Sequence, residues 1–167
     1  QYTQLIARRV REANVYCELH PFNFPADKIK ALNPTGVILS GGPASVTDKR
    51  APRPDPKVFS LGIPVLGICY GAQLIAQQLG GTVGRGLRGE YGRAKLHRTA
   101  PSRLLPDDAP DVHDVWMSHF DAITAPPNGF TATASTDDAP VAVLEDDERR
   151  LYGVQFHPEV VHTPYGM

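Results

Sequence analysis

Cysteine is scarce in this chain, with two among 167 residues, Cys17 and Cys69. Two thiols cannot build the disulfide framework of a small secreted domain, so the expected setting is a reducing cytoplasm. Charge of one sign is also missing: the formal net charge is −1. No broad basic field exists to hold nucleic acid or an anionic membrane. No apolar run approaches the roughly 20 residues that span a bilayer, and nothing resembles a signal peptide. The sequence also lacks a phosphate-binding P-loop, an internal repeat and a low-complexity tail. What remains is a chain of ordinary globular composition, 41% hydrophobic and 21% charged, long enough for one domain with a real core.

Periodicity sketches the fold. Leu5, Ile6, Val10 and Ala13 recur at helical spacing within "QYTQLIARRVREAN". "VYCEL" (15–19) alternates like a short strand, and "ADKIKAL" reads as a helix stopped by Asn33-Pro34. "TGVILSGGP" and "IPVLGI" read as buried strands, with a short helix in "PDPKVFSLG" between them. "GAQLIAQQLG" is a helix that ends at Gly80-Gly81. Beyond Gly81 come short candidate strands, "GRAKLH", "DVWMSH", "FTATAST", "VAVLED" and "RLYGVQF", punctuated by Gly, Pro and Asp. The expectation is an α/β fold: an open, mostly parallel sheet with flanking helices plus an antiparallel extension. The chain opens on a helix with no strand before it and on Gln1 instead of Met, so a fragment is expected.

"LGICYGAQ" places Cys69 at the exit of a strand and the start of a helix, with Gly67 and Gly71 two residues to either side. Reactive groups of open parallel sheets collect at such carboxyl ends. The same strand–nucleophile–helix corner carries the serine of G-x-S-x-G hydrolases. The helix N-terminus favours a thiolate, and the Tyr70 amide would point to a developing oxyanion. Cys17 has neither glycines nor a following helix and reads as a packed strand residue.

A thiol nucleophile needs a base, and six histidines compete. His20, His97 and His113 read as surface residues. His157 differs: it follows the apolar "YGVQF" and precedes Pro158 and Glu159. In an extended segment residues i and i+2 share a side, so Glu159 could hold the far nitrogen of His157 and fix its tautomer. "SGGP" (40–43) ends the strand before the cysteine strand, and its Gly41 and Gly42 amides could reach the same oxyanion.

The motifs "SGGPASV", "GICYGAQ" and "GVQFHPEV", in that order, give a chain that resembles the class I (triad) glutamine amidotransferases. "VYCEL", "EYGRA", "DVWMSH" and "QFHPEVVHTPYG" make it most similar to the amidotransferase part of GMP synthetases. The resemblance implies Cys69 as nucleophile, His157 as acid and base, and Glu159 as its orienter. Gly42 and Tyr70 would supply oxyanion-hole amides, with Gly41 shaping the turn. Gln73 and the "SHFD" segment (Ser118, His119, Phe120 and Asp121) would help hold glutamine, while the His119 ring is assigned a structural or partner-facing role. Phe120 stands where that branch usually has glycine, a departure that bears on pocket shape.

The resemblance further implies an absent opening strand and a partner, fused or separate, of the ATP-pyrophosphatase type. ATP and Mg²⁺ would act in that partner; for this domain no cofactor and no metal are expected. Rival readings are a pyrophosphate loop at "SGGPAS", disfavoured by Pro43 and Ala44, a γ-glutamyl hydrolase on the same fold, and a non-catalytic interaction domain.

Overall fold

The computed structural model describes residues 2–167, with Leu87 described by its backbone. Helix α1 spans Thr3–Glu12 and buries Ile6 and Ala7. Helix α2 spans Ala26–Leu32 and ends at Asn33, whose φ of 48° turns the chain out of the helix ahead of Pro34. Strand β1 (Val37–Leu39), a 3₁₀ turn at Pro56–Ser60 and strand β2 (Val65–Ile68) lead into helix α3 (Tyr70–Gln78). Strands β3 (Thr82–Arg98), β4 (Val112–Ala125), β5 (Thr131–Ser135), β6 (Val143–Asp146) and β7 (Leu151–Val154) follow.

All seven strands join one sheet in the order β1-β2-β7-β6-β5-β3-β4. The expected α/β architecture, a sheet with flanking helices and an antiparallel extension, is present, but the sheet is mixed instead of mostly parallel. Its parallel part is β1, β2 and β7, while the remaining pairs run antiparallel and make up the larger share. Neighbouring side chains on a strand serve opposite faces. Leu144 packs with α3 and the 3₁₀ turn, and Val143 packs with Ile6 of α1 and with Cys69. Helices thus cover both faces of the parallel edge, and no helix among the described residues is long and apolar enough to cross a membrane.

Three local expectations differ from the structure. "VYCEL" forms no strand; Val15, Tyr16 and Leu19 are exposed, and Cys17 is half-buried with Sγ 3.5 Å from the Ala7 carbonyl. An alternating pattern makes a strand only where a neighbour offers a ladder, and β1 pairs with β2 alone among the described strands. For the same reason β1 is not the buried strand expected: Ile38 is exposed at the sheet edge. His113 is buried instead of superficial, with Nδ1 2.8 Å from the Pro110 carbonyl and its ring edge-on to Tyr165.

Candidate active site

Cys69 follows β2 directly and caps α3, with φ 54° and ψ −106°. A non-glycine residue rarely adopts such a backbone, which costs on the order of 1–3 kcal/mol and persists only where the surroundings impose it. They do so here. The Cys69 amide donates to the Val154 carbonyl at 2.8 Å, and the Gln73 amide donates to the Cys69 carbonyl at 3.1 Å. The flanking glycines have a steric purpose. A Cβ on Gly67 would stand 2.5 Å from the Gly71 backbone, and one on Gly71 would overlap the Leu39 carbonyl. They let α3 lie directly on β1 and β2, which presents the sulfur at the corner.

The other motifs arrive at the same place. β1 and β2 are parallel neighbours, so the Gly41-Gly42 turn after β1 emerges beside Cys69. A Cβ on Gly41 would lie 3.4 Å from Cys69 Cβ and 3.2 Å from His157 Cε1. Thiol and imidazole therefore border one glycine. Gly42 lies next to Tyr70, the first residue of α3, whose amide is among those a helix start leaves without an intrahelical acceptor.

His157 is fully buried, and its Nδ1 lies 2.7 Å from Glu159 Oε1. His157 follows a bend at residues 155–156 and Glu159 sits in the turn after it, not in the extended segment expected, and the turn brings the carboxylate back to the ring. Two bonds fix the histidine backbone. Its amide donates to the Trp116 carbonyl at 2.9 Å, and its carbonyl accepts from Thr163 Oγ1 at 2.8 Å. Burial pushes the imidazole pKa down, but the Cys69 sulfur and the Glu159 carboxylate outweigh burial and raise it from 6.5 to about 9. The other nitrogen, Nε2, makes no hydrogen bond within normal limits. Of the two partners the sulfur raises the pKa most, by hydrogen bonding first and by charge second.

A polar wall closes the sulfur's other side. Cys69 Sγ donates to the Ser118 carbonyl at 3.5 Å and accepts from Gln155 Nε2 at 3.7 Å. Gln73 Nε2 donates to Gln155 Oε1 at 3.2 Å and to the Asp121 carbonyl at 2.9 Å. Asp121 Oδ2 accepts from Ser45 Oγ, tying β4 to the glycine turn. Two of the expected side chains stay apart from the sulfur: the Phe120 ring is exposed and lies under Arg85, 4.8 Å from the guanidinium carbon, and the His119 ring is buried against Glu90. Sequence reasoning missed Gln155, Ser45 and Thr163. A signal existed for Gln155, a polar residue in an apolar run two positions before His157, whereas Thr163 gives no sign of its role.

The chain as a whole resembles known proteins. Residues 1–167 match the family model for glutamine amidotransferase class-I. The chain is 54% identical over 167 residues to a GMP synthase (glutamine-hydrolysing) of Heliobacterium modesticaldum, covering 100% of this chain and 32% of the relative. It is 56% identical over 166 residues to the enzyme of that name from Symbiobacterium thermophilum, covering 99% and 32%. It thus spans about a third of the length of these curated relatives. A solved structure from Thermoplasma acidophilum, named for one of the subunits of GMP synthase, superposes with a TM-score of 0.84 at 30% identity, covering 99% of this chain and 83% of that one. The chain belongs to the class I glutamine amidotransferases.

Proposed function

We propose that this chain hydrolyses glutamine to glutamate and ammonia through a thioester on Cys69, and that the ammonia serves the amination of XMP to GMP. The observation that carries the reading is the shared border at Gly41: Cys69 and His157 both lie against it, and Glu159 holds the far side of the imidazole.

The chemistry follows from the residues. With a pKa raised to about 9, His157 holds its proton at neutral pH, opposite a sulfur able to act as thiolate. The sulfur attacks the side-chain amide carbon of glutamine. The resulting oxyanion is met by the amides of Tyr70 and Gly42, at a turn shaped by Gly41. Removing one such donor costs about 100- to 1000-fold in rate. His157 Nε2 gives its proton to the departing nitrogen and ammonia leaves. The ring then takes a proton from water, which attacks the γ-glutamyl thioester and releases glutamate. Glu159 stabilises the imidazolium in both steps. Gln73 and the Ser118–Asp121 segment form the side on which the substrate amino acid would bind.

XMP activation with ATP and Mg²⁺ belongs to a partner module of the ATP-pyrophosphatase type, for which fusion to this chain is the favoured arrangement. The turn at Gly41 does not cradle a nucleotide, because Pro43 lacks the amide and Ala44 the carboxylate that a pyrophosphate loop uses. The setting is the cytoplasm, where the Cys69 thiol stays reduced. Cys69 is 3% exposed and His157 is 0% exposed, so glutamine needs an opening of the site. The resemblance to the amidotransferase part of GMP synthetases implies that the isolated chain is slow and accelerates with its synthetase module and nucleotides bound.

The test measures ammonia released from glutamine and glutamate released from γ-glutamyl peptides, with and without the synthetase module. Preference for glutamine, stimulation by the module and loss of activity in Cys69→Ala are expected. Preference for γ-glutamyl peptides would instead favour a γ-glutamyl hydrolase.

A further inference from the structure

Behind the polar wall lies a buried polar cluster to which the chemistry above assigns no proton transfer and no contact with the sulfur. His119 on β4 faces Glu90 on β3 across the antiparallel pair. Its Nε2 lies 2.9 Å from Glu90 Oε1, and its Nδ1 lies 2.7 Å from the Asp121 carbonyl. Thr136 Oγ1 approaches both carboxylate oxygens, at 2.9 and 2.8 Å, and accepts the Ala139 amide at 3.0 Å. The side chains of His119 and Glu90 are 2% and 8% exposed.

Taking a carboxylate and an imidazole out of water is costly unless both are paired, so the sequence retains here something an apolar pair would supply more simply. Its placement shows what it holds. Arg85 pairs with Asp121 and Glu90 with His119, so five steps along β3 match two along β4, and β3 bulges outward between them. That leaves Phe120 without a ladder partner, between the Ser118 carbonyl that meets the Cys69 sulfur and the Asp121 carbonyl that meets Gln73. The Asp121 carbonyl accepts His119 Nδ1 on one side and Gln73 Nε2 on the other. Gln73 in turn holds Gln155, which reaches the sulfur.

We propose that His119, backed by Glu90 and Thr136, is a positioning residue that fixes the Asp121 carbonyl and thereby the Gln73 side of the glutamine pocket. The inference rests on the glutaminase reading above and assigns within it which buried groups set substrate affinity. His119 Nδ1 faces a carbonyl and is therefore a donor, and neither His119 nor Glu90 touches the reacting sulfur. Their loss should loosen glutamine binding and leave the thiol's own reactivity intact.

The experiment uses the protein assembled with its synthetase module. His119→Gln and Glu90→Leu are expected to raise KM for glutamine about tenfold or more. Their kcat and the rate of Cys69 alkylation by iodoacetamide without glutamine should stay within about threefold of wild type. Glu90→Gln keeps a hydrogen-bonding group opposite Nε2, so it should restore KM toward wild type where Glu90→Leu does not. Lowered thermal stability with unchanged KM would overturn the proposal, as would alkylation and kcat falling together at constant KM. If His119→Gln and Glu90→Leu fail to fold, the Cys69→Ala protein supplies the reading by NMR. Saturating glutamine should shift the His119 ring proton resonance, and no shift overturns the proposal. Wild-type protein that releases no ammonia from glutamine would sink the parent reading and this one together. An active wild type with insensitive variants would sink this one alone.

Discussion

His157 Nδ1 lies 2.7 Å from Glu159 Oε1, with both side chains shut off from solvent at 0% and 2% exposure. At that depth the carboxylate holds the Nδ1 proton, in the imidazolium and in the neutral ring alike, and leaves Nε2 on the other side. Glu159→Gln preserves the shape and removes the charge. It is expected to lower kcat for glutamine hydrolysis by roughly 100- to 10,000-fold, by analogy with the loss of an orienting carboxylate in hydrolase triads. Steady-state kinetics would check it, and an unchanged kcat would remove Glu159 from the mechanism.

The same pair gives a pH signature. Burial alone would depress the His157 pKa, but Cys69 and Glu159 raise it to about 9, above the ordinary 6.5. A group raised on folding stabilises fully below its unfolded value and loses that contribution as pH climbs through the folded value. The unfolding free-energy gap between wild type and His157→Gln should therefore narrow from pH 6.5 toward about 9. Urea denaturation across that range measures it; a gap that widens with pH contradicts the assignment.

Gly41 and Gly42 should respond differently to one added methyl group. At Gly41 it would press on His157 Cε1 at 3.2 Å, whereas at Gly42 its nearest neighbours are Tyr70 ring carbons at 3.9 Å. Gly41→Ala is expected to cost about 100-fold in kcat/KM with the fold kept, because small displacements of reacting groups are that expensive. Gly42→Ala should cost far less. Parallel kinetics and circular dichroism on the two variants decide.

Thr163 joins two elements through one hydroxyl, donating to the His157 carbonyl at 2.8 Å and accepting from the Trp116 amide at 3.0 Å. Thr163→Val keeps the volume and strands both partners. A loss of about 1–3 kcal/mol in stability is expected, with a fall in kcat as His157 shifts. Chemical denaturation and kinetics test the two halves separately.

The corner at Cys69 could be read from the sequence because its causes are local: an apolar strand, two glycines and a helical pattern meet within eight residues. His157 and Glu159 were equally readable, although their geometry comes from a turn and not from strand alternation. "VYCEL" misled because local alternation does not report whether a ladder partner is present. The antiparallel weight of the sheet was understated because β3 and β4 are far longer than their apolar patterns, with polar residues filling alternate positions on the exposed face. The Ser45 and Gln155 contacts of the wall, and the Glu90–Thr136 support, join residues up to 86 positions apart, for which no short motif exists.

The central claim is that one thiol of two is the nucleophile. Trapping with a diazo-ketone analogue of glutamine, followed by peptide mapping, tests it most directly. The account predicts a single adduct at Cys69, blocked by glutamine and absent in Cys69→Ala. Labelling shared with Cys17, or persisting without Cys69, would contradict it.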